Sequence, residues 1–258
     1  MSIDLIDISN NYLGFNKVCH LGYYIATKWE VNDQLSKELL NFKHNKASSV
    51  RKWIRLFDNV ELPSERGICV RVLGHNELKV NLDSNQLSLD ILGLHLQENY
   101  ENLVYIPQII SKTRQTQALK FLGRDERTQE LEGTYQCYKM KKNYEEKKYN
   151  KFIYTIIDDV ITTGSSLMAV AGTIRDTYPN AIINCLALTK TSDPEPEVLR
   201  HNQQLYNFLT GKSQQISSPP TGWKDVSELF QDPDDYDVDD SDYDDDASKW
   251  SENSTESG

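Results

Sequence analysis

The pattern of apolar and polar positions predicts two amphipathic helices near the start of the chain. Apolar residues recur at helical spacing at Val31, Leu35, Leu39 and Phe42, and a second run extends from Val50 to Phe57. This spacing places the apolar side chains on one face of each helix. We therefore expect residues 1–60 to form an amino-terminal helical segment, a hood that packs beside a sheet.

Short apolar runs follow, and they alternate with helical patterns. The runs predict strands at residues 67–73, 103–110, 134–140, 152–157 and 181–188. The run at 152–157 is apolar almost throughout, which is typical of a parallel strand covered on both faces. Pro107 lacks a backbone donor and predicts an edge strand or a bulge in the second run. We expect residues 61–215 to form an α/β domain with a parallel sheet flanked by helices.

Charge is distributed unevenly along the chain. The formal net charge is −11, yet Asp225 to Gly258 contains fourteen acidic residues and one lysine, which leaves about +2 for the remainder. Residues 216–258 therefore form an acidic tail, predicted to be disordered because it has little apolar surface to offset ordering. Four roles are open: solubility through charge repulsion, mimicry of nucleic acid, docking on a basic partner, and folding back over the protein's own anion site. We do not expect the tail to bind nucleic acid directly.

Other sequence features predict a cytoplasmic protein without a membrane partner. Residues 1–7 alternate apolar and acidic side chains, unlike a signal peptide, and no apolar run is long enough to span a bilayer. The four cysteines are far apart, have no CxxC spacing, and are predicted to be reduced. No metal cage held directly by the protein is expected.

The strongest candidate for chemistry follows the predicted strand at 152–157. Asp158 and Asp159 come at its carboxyl end, where open α/β sheets bind ligands. The small residues after them, Thr162, Thr163, Gly164, Ser165 and Ser166, would turn backbone N–H groups and hydroxyls toward one anion at a helix start. Two carboxylates beside a phosphate are reasonable if they accept from vicinal hydroxyls. Ribose 5-phosphate meets both requirements.

Residues 154–166 resemble the phosphoribosyl pyrophosphate (PRPP) motif of type I phosphoribosyltransferases, and all thirteen positions fit. The resemblance implies that Asp158 and Asp159 are catalytic and bind the ribose hydroxyls, and that residues 162–166 bind the 5-phosphate. It also implies Mg²⁺ bound with PRPP, an unknown nitrogenous acceptor base, and release of pyrophosphate. Thr162 stands where hypoxanthine-type enzymes usually have an acidic base, so that salvage chemistry is not expected.

The segment from Arg114 to Tyr135 is similar to the competence-associated (ComF) branch of that family. The shared features are Arg114, Thr116, Glu126-Arg127 and a Leu-x-Gly run that ends at Gly133, and residues 39–44 also resemble a branch helix. Two interpretations are open for Arg124, Glu126 and Arg127: they bind a ligand, or they form a local ion-pair network at a helix start. The zinc ribbon at the amino terminus of that branch is absent.

The largest departure from the family lies at residues 71–86, where several arginines of the family are replaced and only Asn85-Gln86 matches. This region is expected to hold pyrophosphate, a group that needs positive charge. Lys112 and Arg114 are the candidates for that role, with a solvated surface role as the alternative. Two functions follow: a phosphoribosyltransferase, or a non-catalytic nucleotide-sensing or effector subunit of a larger complex in DNA uptake or defence.

Overall fold

A computed structural model describes residues 3–60, 67–82, 87–119, 122–139 and 153–211. Its main feature is a six-stranded sheet, formed by β1 (Ile6–Asp7), β2 (Lys17–Ile25), β3 (Gly67–Arg71), β4 (Leu103–Tyr105), β7 (Ile153–Ile161) and β8 (Ile182–Ser192). The strands lie in the order β1-β2-β8-β7-β3-β4. All neighbouring strands are parallel except β1 and β2.

Helices flank this sheet, which confirms the predicted α/β class. The predicted apolar stripe of α2 (Ala47–Phe57) is buried at Val50, Trp53, Ile54 and Phe57. The helix at Ser165–Thr177, α5, also buries one apolar face, formed by Leu167, Val170, Ala171 and Ile174. The helices are α1 (Gln34–Lys43), α2 (Ala47–Phe57), α3 (Ser88–Asn99), α4 (Arg124–Leu131), α5 (Ser165–Thr177) and α6 (Pro196–Leu209).

The amino-terminal segment differs from the predicted helical hood. Helices α1 and α2 are present, but β2 lies inside the central sheet, where it pairs with β8. Its apolar run is interrupted by His20 and Gly22, so the sequence pattern for a buried strand is weak. Residues 1–60 therefore share a sheet with the α/β region rather than forming a separate helical segment.

The run at 103–110 lies at the edge of the six-stranded sheet, one of the two positions that Pro107 predicts, but it is broken there rather than continuous. Strand β4 ends at Tyr105, and Pro107–Ile109 form a 3₁₀ turn. The chain then enters β5 (Ile110–Lys112), which pairs antiparallel with β6 (Tyr135–Cys137) in a second, two-stranded sheet. One predicted strand is thus divided between two sheets.

The connections of the central strands define a ligand-binding edge. Strands β3 and β7 are neighbours, but the chain leaves β3 toward β4 on one side and leaves β7 toward β8 on the other. Such a reversal is a topological switch point, and ligands of open α/β sheets bind at the carboxyl ends of the strands there.

Other predictions concern membranes, cysteines and the tail. Within the described ranges, no helix is both long and apolar enough to cross a membrane. All four cysteines are free thiols. The hydrophilic segment at 141–150 and the acidic tail at 216–258 lie outside the described residues.

Candidate functional site

A cavity of about 290 Å³ opens at the switch point. Phe42 and Lys43, at the end of α1, form one side of it, and Asp158 and Asp159 of β7 form another. The wall is completed by Arg71 at the end of β3, by residues 72–75 and Glu77 after it, and by the start of α3. One space is therefore surrounded by the end of α1, by the predicted acid pair and by the segment expected to hold pyrophosphate.

The two acids lie within β7 rather than after it, which corrects the predicted strand end. Arg71, the last residue of β3, pairs with Ile157, whereas Asp158 pairs only with β8, at Ala187. Strand β7 continues to Ile161 because β8 is long enough to pair with it. The acids are thus the first residues of β7 beyond the end of β3.

Asp158 is half-buried, and its environment disfavours a charge. Burial, followed by the negative charge of Asp159, raises the pKa of Asp158 well above its usual value. Lys43 and the backbone N–H of Asp159, which donates to Oδ1 of Asp158 over 2.9 Å, oppose this shift. The pair is therefore a place where hydroxyl donors from a ligand would relieve an unfavourable arrangement of protein charges.

Lys43 joins the site although it was not among the predicted site residues. Its Nζ lies 3.3 Å from Oδ2 of Asp159, and both side chains are partly exposed to solvent. The contact links the end of α1 to β7 across the cavity. The sequence separation of more than a hundred residues hides it, although Lys43 stands in the run that resembles the family helix.

The loop after the acids turns sharply into helix α5 and leaves backbone N–H groups open. Gly164 has φ of +78°, a left-handed conformation that suits glycine, and it precedes the first residue of α5. Within the described parts of the chain, the backbone N–H groups of Thr163, Gly164 and Ser166 donate to no protein acceptor. Unpaired N–H groups at a helix start form a site for a phosphate.

Side chains around this loop fix its shape. The hydroxyls of Thr163 and Ser165 lie 2.9 Å apart in a hydrogen bond. A Cβ added to Gly164 would lie 2.3 Å from the ring of Tyr12, so this close approach also requires glycine. Arg127 was a candidate either for ligand binding or for a local ion-pair network. Its Nη1 donates to the Thr162 hydroxyl over 3.2 Å. Its Nε donates to the carbonyl of Leu122.

The two cations predicted to hold pyrophosphate are both bonded within the protein. Lys112 is 6 % exposed, and its Nζ donates to the carbonyl of Gly74 over 2.8 Å. Burial lowers the pKa of Lys112 to about 8. Arg114 is half exposed and forms an ion pair of 2.8 Å with Glu130. Neither side chain lines the cavity.

Arg71 and Glu77 form a charged network in the cavity wall that the sequence did not predict. The Arg71 guanidinium is 2 % exposed and is held by Asp90, with Nε to Oδ1 at 2.6 Å. Its other edge donates to both carboxylate oxygens of Glu77, from Nη1 over 2.8 Å and from Nη2 over 2.7 Å. Burial acts to raise the pKa of Glu77, but the hydrogen bonds and charge of Arg71 lower it below its usual value.

The described residues contain no group of three or more His, Cys, Asp or Glu side chains that could hold a metal ion. Comparison with known proteins adds no assignment: no protein-family model and no curated protein matches the sequence.

Proposed function

We propose that the acid pair in this cavity, together with the loop at 162–166 that lies outside the cavity lining, binds the 5-phosphoribosyl group of a small ligand. As in the enzymes that the sequence resembles, the ligand would be PRPP with Mg²⁺, and the reaction would transfer the phosphoribosyl group to a nitrogenous acceptor with release of pyrophosphate. The supporting observation is a single strand-to-helix junction at the switch point. It brings the acid pair near the end of β7 and the open N–H groups before α5 into one short segment of the chain.

The two halves of the junction suit different parts of one ligand. The carboxylates of Asp158 and Asp159 accept hydrogen bonds from the 2- and 3-hydroxyls of ribose, while residues 162–166 donate to the 5-phosphate. In a transfer reaction, positive charge develops at the anomeric carbon as the bond to pyrophosphate breaks. The negative charges beneath the ribose would stabilise that change, and the loop would hold the ring in place.

A second candidate is binding without transfer, as in a nucleotide-sensing or effector subunit. The observation that favours it is the state of the cations, since Lys112 and Arg114 are bonded to a carbonyl and to Glu130. Transfer needs positive charge on the leaving pyrophosphate. A protein that only senses a phosphoribosyl ligand does not.

Calorimetry on the full chain tests the proposal. We expect ribose 5-phosphate or Mg²⁺-PRPP to bind, and we expect the double variant Asp158→Asn, Asp159→Asn to lose at least about tenfold in affinity for whichever binds, because two charge-assisted acceptors are removed. Asp193→Asn, an exposed acid after β8, is the matched control and should bind as the wild type does.

The same preparation separates the two candidates. Release of pyrophosphate from PRPP is measured across a panel of nitrogenous bases. Turnover with any base supports the transferase, and binding without turnover supports the sensor. Failure of the wild type to bind any phosphoribosyl ligand would refute both.

A further inference from the structure

Glu77 lies in the cavity wall in the manner of a bound anion. Both of its carboxylate oxygens accept from Arg71, and Oε2 also accepts from the backbone N–H of Gly74 over 2.6 Å. A guanidinium fork together with a backbone N–H is the arrangement by which proteins bind carboxylates and phosphates. Here the anion is supplied by the chain itself, three residues beyond the N–H that it occupies.

This cradle does not need Glu77 to neutralise Arg71. Asp90 already pairs with the guanidinium, through Nε to Oδ1 at 2.6 Å and Nη2 to Oδ2 at 3.1 Å. Asp90 is fully buried, whereas the Glu77 side chain is 24 % exposed. Asp90 therefore holds Arg71 from inside the protein, and Glu77 covers the edge of Arg71 on the cavity side.

The positive charge of the cradle extends to Lys112. Its Nζ donates to the carbonyl of Gly74, the residue whose N–H binds Glu77. Lys112 also acts electrostatically on Glu77, since its charge helps to lower the pKa of that carboxyl. A second buried cation thus lies one hydrogen bond from the residue whose N–H holds the Glu77 carboxylate.

The occupied cradle and the acid pair line the same cavity. Glu77, Asp158 and Asp159 contribute three carboxylates to the wall, against the two cations Arg71 and Lys43. Lys43 is paired with Asp159 and Arg71 with two carboxylates. Neither cation is therefore available to hold a ligand with several additional negative charges, whereas the open N–H groups before α5 suit one phosphate.

We infer that Glu77 is a specificity residue that fills a second anion site in the cavity wall, so that the wild-type chain takes phosphoribosyl ligands without a pyrophosphate group in preference to PRPP. Ribose 5-phosphate and nucleoside 5′-monophosphates are the ligands of this class. The inference rests on the phosphoribosyl-binding part of the proposed function, names its ligand class, and favours the second candidate, binding without transfer.

The test is calorimetry on the full chain with ribose 5-phosphate, Mg²⁺-PRPP and inorganic pyrophosphate as separate probes. The wild type should bind ribose 5-phosphate at least as tightly as PRPP. Glu77→Gln keeps the side-chain size but removes the charge, so PRPP affinity should rise about tenfold and pyrophosphate binding should become measurable. Affinity for ribose 5-phosphate should change by less than about threefold, because its phosphate lies on the loop before α5.

Glu101→Gln, at an exposed position after α3, is the matched control and should leave all three affinities unchanged. Wild-type binding of PRPP more than about tenfold tighter than ribose 5-phosphate would overturn the inference while supporting the proposed function. This ranking needs no variant, so it decides the matter even if Glu77→Gln fails to fold. If no probe binds to either protein, the phosphoribosyl site itself is wrong, and the inference fails with it.

Discussion

Among single residues, Asp158 carries a charge that the folded protein disfavours. Its pKa is raised by burial and by Asp159, so the folded state binds a proton more tightly than the unfolded state does. The wild type therefore loses stability as pH rises from the ordinary carboxyl pKa through the raised value. Asp158→Asn removes the charge and should stabilise the fold above that range by about 1–2 kcal/mol.

Thermal or chemical unfolding between pH 4 and pH 9 measures this effect. The advantage of Asp158→Asn over the wild type should grow with pH and be smallest at pH 4, where Asp158 is protonated in the folded protein. Asp193→Asn provides the baseline for removing an exposed acid. A difference in the free energy of unfolding that is independent of pH would show that the fold does not disfavour the charge of Asp158.

The residues of the site differed in how far the sequence revealed them. Asp158, Asp159 and residues 162–166 lie close together in the sequence, and the structure places them where β7 leads into α5. Glu77 and Lys43 were missed because their roles depend on chain segments that meet only in the fold. The sequence indicates Lys112 and Arg114 only through their charge and position. Charge does not show to which acceptor within the protein a cation donates.

At the scale of helices and strands, periodicity predicted the elements whose apolar faces are regular. Helix α2 and helix α5 follow their apolar stripes closely. Strand β2 was not predicted, since Gly22 lies where Leu35 and Leu205 approach too closely for a Cβ, and His20 is a buried polar residue. Both choices satisfy tertiary packing and weaken the local strand pattern.

Two helical glycines provide a test of such packing. A Cβ on Gly93 of α3 would lie 2.2 Å from the ring of Tyr105, whose hydroxyl is bonded to Asp90. A Cβ on Gly172 of α5 would meet nothing within 4 Å. Gly172→Ala should therefore stabilise the protein by about 0.5–1 kcal/mol through helix propensity, whereas Gly93→Ala should destabilise it by about 1–3 kcal/mol.

Each variant serves as the control for the other, because both replace a helical glycine by alanine. Urea unfolding gives the two free-energy changes with the wild type as reference. Equal stabilisation by both substitutions would mean that α3 and β4 are not packed as closely as the structure shows.

At the scale of the whole molecule, the charge of the chain is divided between an acidic tail and a slightly basic remainder. The tail attaches a charge of about −13 to a protein whose proposed ligands are anions. A charge held on the same chain lowers the local anion concentration, and salt screens this effect, with a Debye length of about 10 Å at 0.1 M. Removing residues 225–258 should therefore raise the affinity for ribose 5-phosphate by about two- to threefold at low salt.

Titrations of the full and truncated chains at about 0.02 M and 0.5 M ionic strength measure the tail effect, which should disappear at the higher value because the Debye length there is only a few ångströms. A third protein, in which the ten aspartates from Asp232 to Asp246 are replaced by asparagine, keeps the length of the tail and should behave like the truncated chain. If truncation raises affinity at both ionic strengths while the asparagine variant resembles the wild type, the tail acts through its other side chains, and the charge argument is wrong. If truncation has no effect at low salt, the charge of the tail does not reach the site.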